Sequence, residues 1–263
     1  MTSDRKARPP VVLSEQISAR GIAYSSRGTG PPAILLHGWC LSRGLWMYQE
    51  ASLLEAHRVI CPDLAGFGGS RGLAGPYGLE RQADEVEMLL EELGVARAAV
   101  VGFAFGAAVA MELAARPGVV ERAVLIGVPS AAHAAYRKMP RAMRRDWPEF
   151  ARRSAVAICH REQSQAALGW LATMFAGTPL PVALETVEVL AEFEPQPLAG
   201  RLRAPALFVH GELDGVVPVS VSEECAAAAP EARLEVVPGA GHLVPIDAPA
   251  ELDAILRREL AAR

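Results

Sequence analysis

Five stretches of the chain set a histidine, an acid or a small-residue turn directly after a short apolar run. His37-Gly38-Trp39 follows Ala33 to Leu36, and "DLAGFGGS", Asp63 to Ser70, follows "VICP". Gly102-Phe103-Ala104-Phe105-Gly106 follows Ala98 to Val101. His210-Gly211-Glu212-Leu213-Asp214 follows "ALFV", and Pro238-Gly239-Ala240-Gly241-His242 follows "RLEVV". An imidazole at His242 can take a proton, and a carboxylate at Asp214 can fix its tautomer and stabilise the imidazolium. Gly102 and Gly106 keep a sharp turn between strand and helix free of side chains. The helix beginning there points the positive end of its dipole at developing negative charge. A serine in the middle of that turn would supply the attacking oxygen of an acyl transfer. The residue in that place is Ala104.

These residues meet only if strand ends gather on one edge of a sheet. Val11 to Ser18 and Ile22 to Ser26 read as a hairpin. "AILL", Arg58 to Cys61, Ala98 to Val101, Arg122 to Gly127, Ala206 to His210 and Arg233 to Val237 read as strands. Helices are expected over Gly44 to Glu55, over Leu79 to Leu93 with Gly94 as its stop, from Gly106 to Pro117, and after Asp247. Strand and helix alternate, so the expected fold is α/β with a mostly parallel sheet. The strand ends then deliver all five motifs where such sheets place their sites. Residues 129–197 are helix-like, with no strand runs. They are read as a helical cap inserted into a core of residues 1–128 and 198–263.

In this order the motifs resemble the α/β-hydrolase superfamily, and the resemblance covers nearly the whole chain. It implies that Asp214 is the acid, His242 the base and Ala104 the occupant of the nucleophile position, in that fold's order of nucleophile, acid, histidine. It also implies that the backbone N–H groups of Trp39 and Phe105 form an oxyanion hole. The loops "LLHGWCLSRGLW" and "DLAGFGGSRG" are similar to those of pimeloyl-acyl-carrier-protein methyl ester esterases of biotin synthesis. Leu41 and Phe103, with Phe105 and Trp39, are expected to offer apolar surface to an acyl chain. The implied activity is hydrolysis of a carboxylic ester.

Three readings of the alanine compete. Ala104 is a deliberate replacement of the serine of a working hydrolase; or the chain is a natural pseudo-hydrolase that binds a small ligand or a partner; or His242 acts as a base without a covalent step, as in a lyase or cyclase. A triad long abandoned would have no reason to keep a buried His–Asp pair, which costs energy unless satisfied. Alanine also retains the β-carbon and the strain of the turn. The first reading is therefore preferred. His37 and His210 are read as satisfied buried histidines. Cys40 lies beside the oxyanion loop, but no base is placed for it, and it is read as a small buried hydrophobe.

The bulk composition bounds the rest. With 263 residues, 51% apolar and 21% charged, the chain can bury a large core. Its net charge of −4 argues against nucleic acid as a partner. Cys40, Cys61, Cys159 and Cys225 are scattered, which suits reduced thiols in a cytoplasm, and the start "MTSDRKARPP" has no apolar signal region. The apolar run Ala98 to Met111 is too short to span a membrane, which takes about 20 residues. "GTGPPA" precedes a strand rather than following one, so no dinucleotide site is expected, and no metal or organic cofactor is implied. Within the cap, Arg137, Lys138, Arg141, Arg144, Arg145, Arg152, Arg153 and Arg161 outnumber nearby acids. Such a basic surface on an acidic protein suits docking of an acidic acyl carrier protein or a phosphopantetheine phosphate; a solvated helical face is the plainer alternative.

Overall fold

The computed structural model describes residues 15–131 and 135–261. An eight-stranded sheet forms its centre, in the order β1-β2-β4-β3-β5-β6-β7-β8. The strands are β1 (Gln16–Ile17), β2 (Ala23–Arg27), β3 (Pro32–Leu36), β4 (Arg58–Pro62), β5 (Ala98–Phe103), β6 (Val120–Ile126), β7 (Ala206–Gly211) and β8 (Ala232–Val237). β1 pairs antiparallel with β2, and β2 with β4; every later pairing is parallel. Of the expected hairpin, residues 11–14 lie outside the described residues.

Helices pack against the sheet. In chain order they are α1 (Met47–Leu53), α2 (Leu79–Glu92), α3 (Phe105–Ala114), α4 (Met139–Arg145), α5 (Trp147–Ala157), α6 (Gln165–Gly177), α7 (Leu180–Glu192), α8 (Pro195–Ala199), α9 (Val219–Ala228), α10 (Val244–Asp247) and α11 (Pro249–Ala261). α1 follows a 3-10 turn at Arg43–Trp46, so the helix expected over Gly44 to Glu55 is split in two. α2 buries Leu79, Ala83, Val86, Leu89 and Leu90, the stripe its periodicity sets. Gly94, at φ +67, ends it, and the Val95 N–H turns back to the Leu90 carbonyl at 2.8 Å. α9 and α10 were not expected. "VSVSEECAAA" has no marked apolar stripe, and α10 is a single turn containing Pro245. Between β6 and β7 the described residues hold only helices, α4 to α8. No single described helix is long and apolar enough to cross a membrane.

β5 is buried along its whole length, and every residue of α3 except Glu112 is buried. The small residues of "FGAAVAMELA" let this helix lie close on the sheet. The approach is closest at two glycines. A β-carbon on Gly102 would overlap the Gly106 carbonyl, and one on Gly106 would overlap the carbonyl oxygens of Leu36 and His37. These obstacles are backbone atoms and cannot rotate away.

Gly106→Ala should therefore lower stability by about 3 kcal/mol, the upper part of the overpacking range. Gly169→Ala, in exposed α6 with open space around its Cα, should raise it by up to about 1 kcal/mol. Urea unfolding of the two variants checks both signs; equal effects would contradict the packing argument.

Candidate active site

Ala104 sits between the end of β5 and the start of α3 with φ 48° and ψ −114°. Its N–H donates to the Ile126 carbonyl at 2.8 Å. Its carbonyl accepts from the N–H groups of Ala107 and Ala108 at 2.8 and 3.1 Å. Held from both sides, a residue with a β-carbon occupies a backbone region that costs about 1–3 kcal/mol. The side chain this turn presents is a methyl group lining a cavity.

Across that cavity stands His242, in the loop after β8. Its Nδ1 donates to Asp214 Oδ2 at 2.8 Å. The Asp214 side chain is fully buried. Oδ2 also lies 3.2 Å from His210 Nε2, and Oδ1 accepts from the N–H groups of Val216 and Val217 at 2.7 and 2.9 Å. Burial alone would raise the Asp214 pKa. The charge on His242 and the hydrogen bonds from His210, His242 and Val217 outweigh it and hold the carboxyl well below its usual range. The tautomer of His210 follows from its partners. Nε2 faces two acceptors, Asp214 and the Val217 carbonyl at 2.9 Å, so it carries the proton; Nδ1 then accepts from the Ser222 hydroxyl at 2.7 Å. The His242 ring packs on Phe103, centroids 5.2 Å apart. Its Nε2 borders the cavity and makes no protein hydrogen bond among the described residues.

The loop after β3 carries Trp39 and Leu41. His37 Nδ1 donates to the Gly38 carbonyl at 2.8 Å, and its Nε2 accepts from the Leu64 N–H at 3.0 Å. Burial lowers the pKa of this ring, against the pull of Asp63. Asp63 accepts from the Arg43 N–H at 2.6 Å, from the Gly69 N–H at 2.7 Å and from the Arg43 guanidinium. These bonds tie the loop to the segment after β4. Cys40 is fully buried there, and burial pushes its thiol well above the ordinary value, so it stays a neutral thiol. As the first residue of α3, Phe105 has a backbone N–H with no intrahelical acceptor. The Trp39 indole donates to Thr186 Oγ1 at 2.9 Å and meets the rings of Trp147, Phe150 and Phe175 edge-on.

The structure thus brings Ala104, His242, Trp39, Phe105, Leu41 and Phe103 around one cavity of about 190 Å³, with Asp214 behind His242. The far wall was not foreseen from sequence. It comes from the segment between β6 and β7, as Tyr136, Met139, Phe150, Ile158, Phe175 and Leu190. His210 was read as a satisfied core histidine. It is one, but it also touches Asp214; the i,i+4 spacing of the two residues was the available signal. Among the described residues no cluster of three or more His, Cys, Asp or Glu could hold a metal ion.

The link between α5 and α6 is bonded to the loop that carries His242. The Leu243 N–H donates to the Ile158 carbonyl at 3.1 Å. The N–H groups of His160 and Gly241 share Asp247 Oδ2 at 2.9 and 3.0 Å. Arg161 reaches the carbonyls of Pro238 and Gly239 and the carboxylate of Glu251. Arg161 is therefore part of this clasp rather than a free surface charge. Arg152 and Arg153 both pair with Glu149. Arg137, Lys138, Arg141, Arg144 and Arg145 are exposed and make no ion pair among the described residues. The basic surface expected from eight residues is thus confined to five, on and just before α4.

Residues 33–255 match the alpha/beta hydrolase family. The chain is 26% identical to the pimeloyl-[acyl-carrier protein] methyl ester esterase of Nitrosomonas europaea, over 84% of this chain and 92% of that protein. It is 31% identical to the magnesium-chelatase 30 kDa subunit of Rhodobacter capsulatus, over 82% and 81%. Its fold is similar to that of an esterase from Exiguobacterium antarcticum, with a TM-score of 0.87 at 20% identity, covering 93% of this chain and 97% of that one.

The geometry at position 104 gives a stability test. Ala104→Gly removes the β-carbon from an unfavourable backbone region and should raise stability by about 1 kcal/mol, after the entropy glycine adds to the unfolded chain. Ala104→Val should lower it. Urea midpoints that rank Val above Gly would show that the turn is not strained.

Proposed function

Because the chain belongs to the alpha/beta hydrolase family, we propose that its site is that of a serine-type carboxylic ester hydrolase in which Ala104 stands in the serine's place. One observation carries this reading: a strained turn presents the Ala104 methyl group beside a His242–Asp214 pair that is complete in every other respect. With serine at 104, the hydroxyl would attack the ester carbonyl as its proton passes to His242 Nε2. The carbonyl oxygen, now negative, would be held by the N–H groups of Trp39 and Phe105. His242 would return the proton to the departing alcohol, and water activated by the same imidazole would release the acid. As it stands, the chain binds the ester without forming the covalent intermediate. The esterase names among its relatives support the reaction class.

The cavity supports a small apolar acyl group. At about 190 Å³ it lies below the 300–1,000 Å³ common for drug-sized ligands, and among the described residues its polar side chains are those of His242, Tyr136, Ser154 and Trp39, whose indole donates to Thr186. Met139 of α4 lines it too, so the five cations, which make no ion pair among the described residues, lie on or just before an element of its wall. This supports delivery of the acyl group by an acidic carrier protein. The described cysteines are all unpaired, which suits a reducing compartment such as the cytoplasm.

Ala104→Ser should hydrolyse short p-nitrophenyl esters, and adding His242→Ala should cost about 10³-fold or more in kcat. Inertness of Ala104→Ser across a broad ester panel would sink the esterase reading in favour of a ligand-binding protein. In the Ala104→Ser background, changing Arg141, Arg144 and Arg145 together to Glu should raise KM for a carrier-linked ester and weaken its salt dependence. Activity on a free ester should hardly change. Equal losses on both substrates would dismiss carrier docking.

A further inference from the structure

The acid–base pair does not depend on position 104. Asp214 receives its four donors from His242, His210, Val216 and Val217, and none comes from the turn that carries Ala104. The pair is therefore assembled in the chain as it stands. Its one polar atom without a hydrogen bond among the described residues is Nε2 of His242, whose ring lines a cavity walled mostly by apolar side chains. In a serine enzyme a hydroxyl would occupy that lone pair. Here a methyl group leaves it without a competing hydrogen bond. Phe103 beside the ring, tilted 51° to it, and the hydrogen bond from Nδ1 to Asp214 hold the imidazole in place.

We propose that this chain, with alanine at 104, is a proton-transfer catalyst that acts on small apolar carbon acids. His242 Nε2 takes a proton from the carbon next to a carbonyl group. The C–H electron pair moves into the adjacent bond and the carbonyl oxygen becomes an enolate oxygen, placed against the N–H groups of Trp39 and Phe105. Asp214, ionised and 2.8 Å from Nδ1, stabilises the imidazolium that results. The imidazolium then returns its proton, either to another carbon of the enolate, which isomerises the substrate, or to a leaving group on the β-carbon, which completes an elimination. Neither course consumes an oxidant, a reductant or a second reactant. Neither needs an ester or a serine, so the inference stands apart from the hydrolase reading and uses only residues that reading places around the cavity.

The test is the base-catalysed ring opening of 5-nitrobenzisoxazole by the unaltered chain. The proton on its C3 passes to the base, the N–O bond breaks, and the charge lands on the oxygen of the coloured product, 2-cyano-4-nitrophenolate. Saturable turnover is expected. It should fall about 10²-fold or more in His242→Ala, the usual contribution of a positioned base. Asp214→Asn, which preserves shape but not charge, should also lower it. Thermal melts establish that these variants fold. Phenylacetate, chosen as a small apolar ring of a size to enter the cavity, should inhibit the unaltered chain competitively. Ala104→Ser, whose hydroxyl engages Nε2, should be slower than the unaltered chain. Turnover equal to that of a folded His242→Ala, or insensitive to phenylacetate, would overturn the proposal. Ester hydrolysis by Ala104→Ser is measured in parallel, so a chain inert towards 5-nitrobenzisoxazole but rescued as an esterase refutes this inference alone.

Discussion

A carboxylate buried as completely as Asp214 persists in its charged form only if its oxygens are met from every side. That requirement organises the C-terminal half of the molecule. Two of its donors are backbone N–H groups of Val216 and Val217, which the turn after β7 must curl to provide. A third is His210, whose own proton is placed by the Val217 carbonyl and the Ser222 hydroxyl. Ser222 belongs to α9, so that helix, otherwise weakly marked in sequence, is tied to the charge. The fourth donor is His242. The imidazole is oriented because the anion needs it as much as it needs the anion.

The N-terminal half solves a different problem, which is steric. α3 can start directly above the sheet because Gly102 and Gly106 have no β-carbons to meet the neighbouring carbonyls. The same closeness forces the chain through the positive-φ residue at 104. The loop after β3 is then fixed by His37 and Asp63 rather than by regular structure. Electrostatic satisfaction on one side and backbone contact on the other leave a gap between them, and that gap is the cavity.

Much of this was legible in the sequence. Strand ends were marked by apolar runs broken by glycine, and Ala104, Asp214 and His242 each stand at one. α2 was legible because its apolar stripe repeats with the helical period and Gly94 ends it. What was not legible depends on long-range contact. The helices between β6 and β7 carry aromatic residues, but their sequence does not say which face Phe150 or Phe175 turns towards Trp39. The eight basic residues looked like one surface; only the fold reveals that Arg161 is spent on the carbonyls of Pro238 and Gly239 and that Arg152 and Arg153 share Glu149. α9 escaped notice because its role is to supply one hydroxyl, a function without periodicity.

The clasp at Asp247 has a mechanical meaning. One carboxylate oxygen holds both the neighbour of His242 and the link between α5 and α6. The helices between β6 and β7 are thus tied, at the α5–α6 link, to the loop that carries the base. The packing that walls the cavity and the packing that places the base therefore share one anchor, and a substitution that removes the Asp247 carboxylate loosens both together.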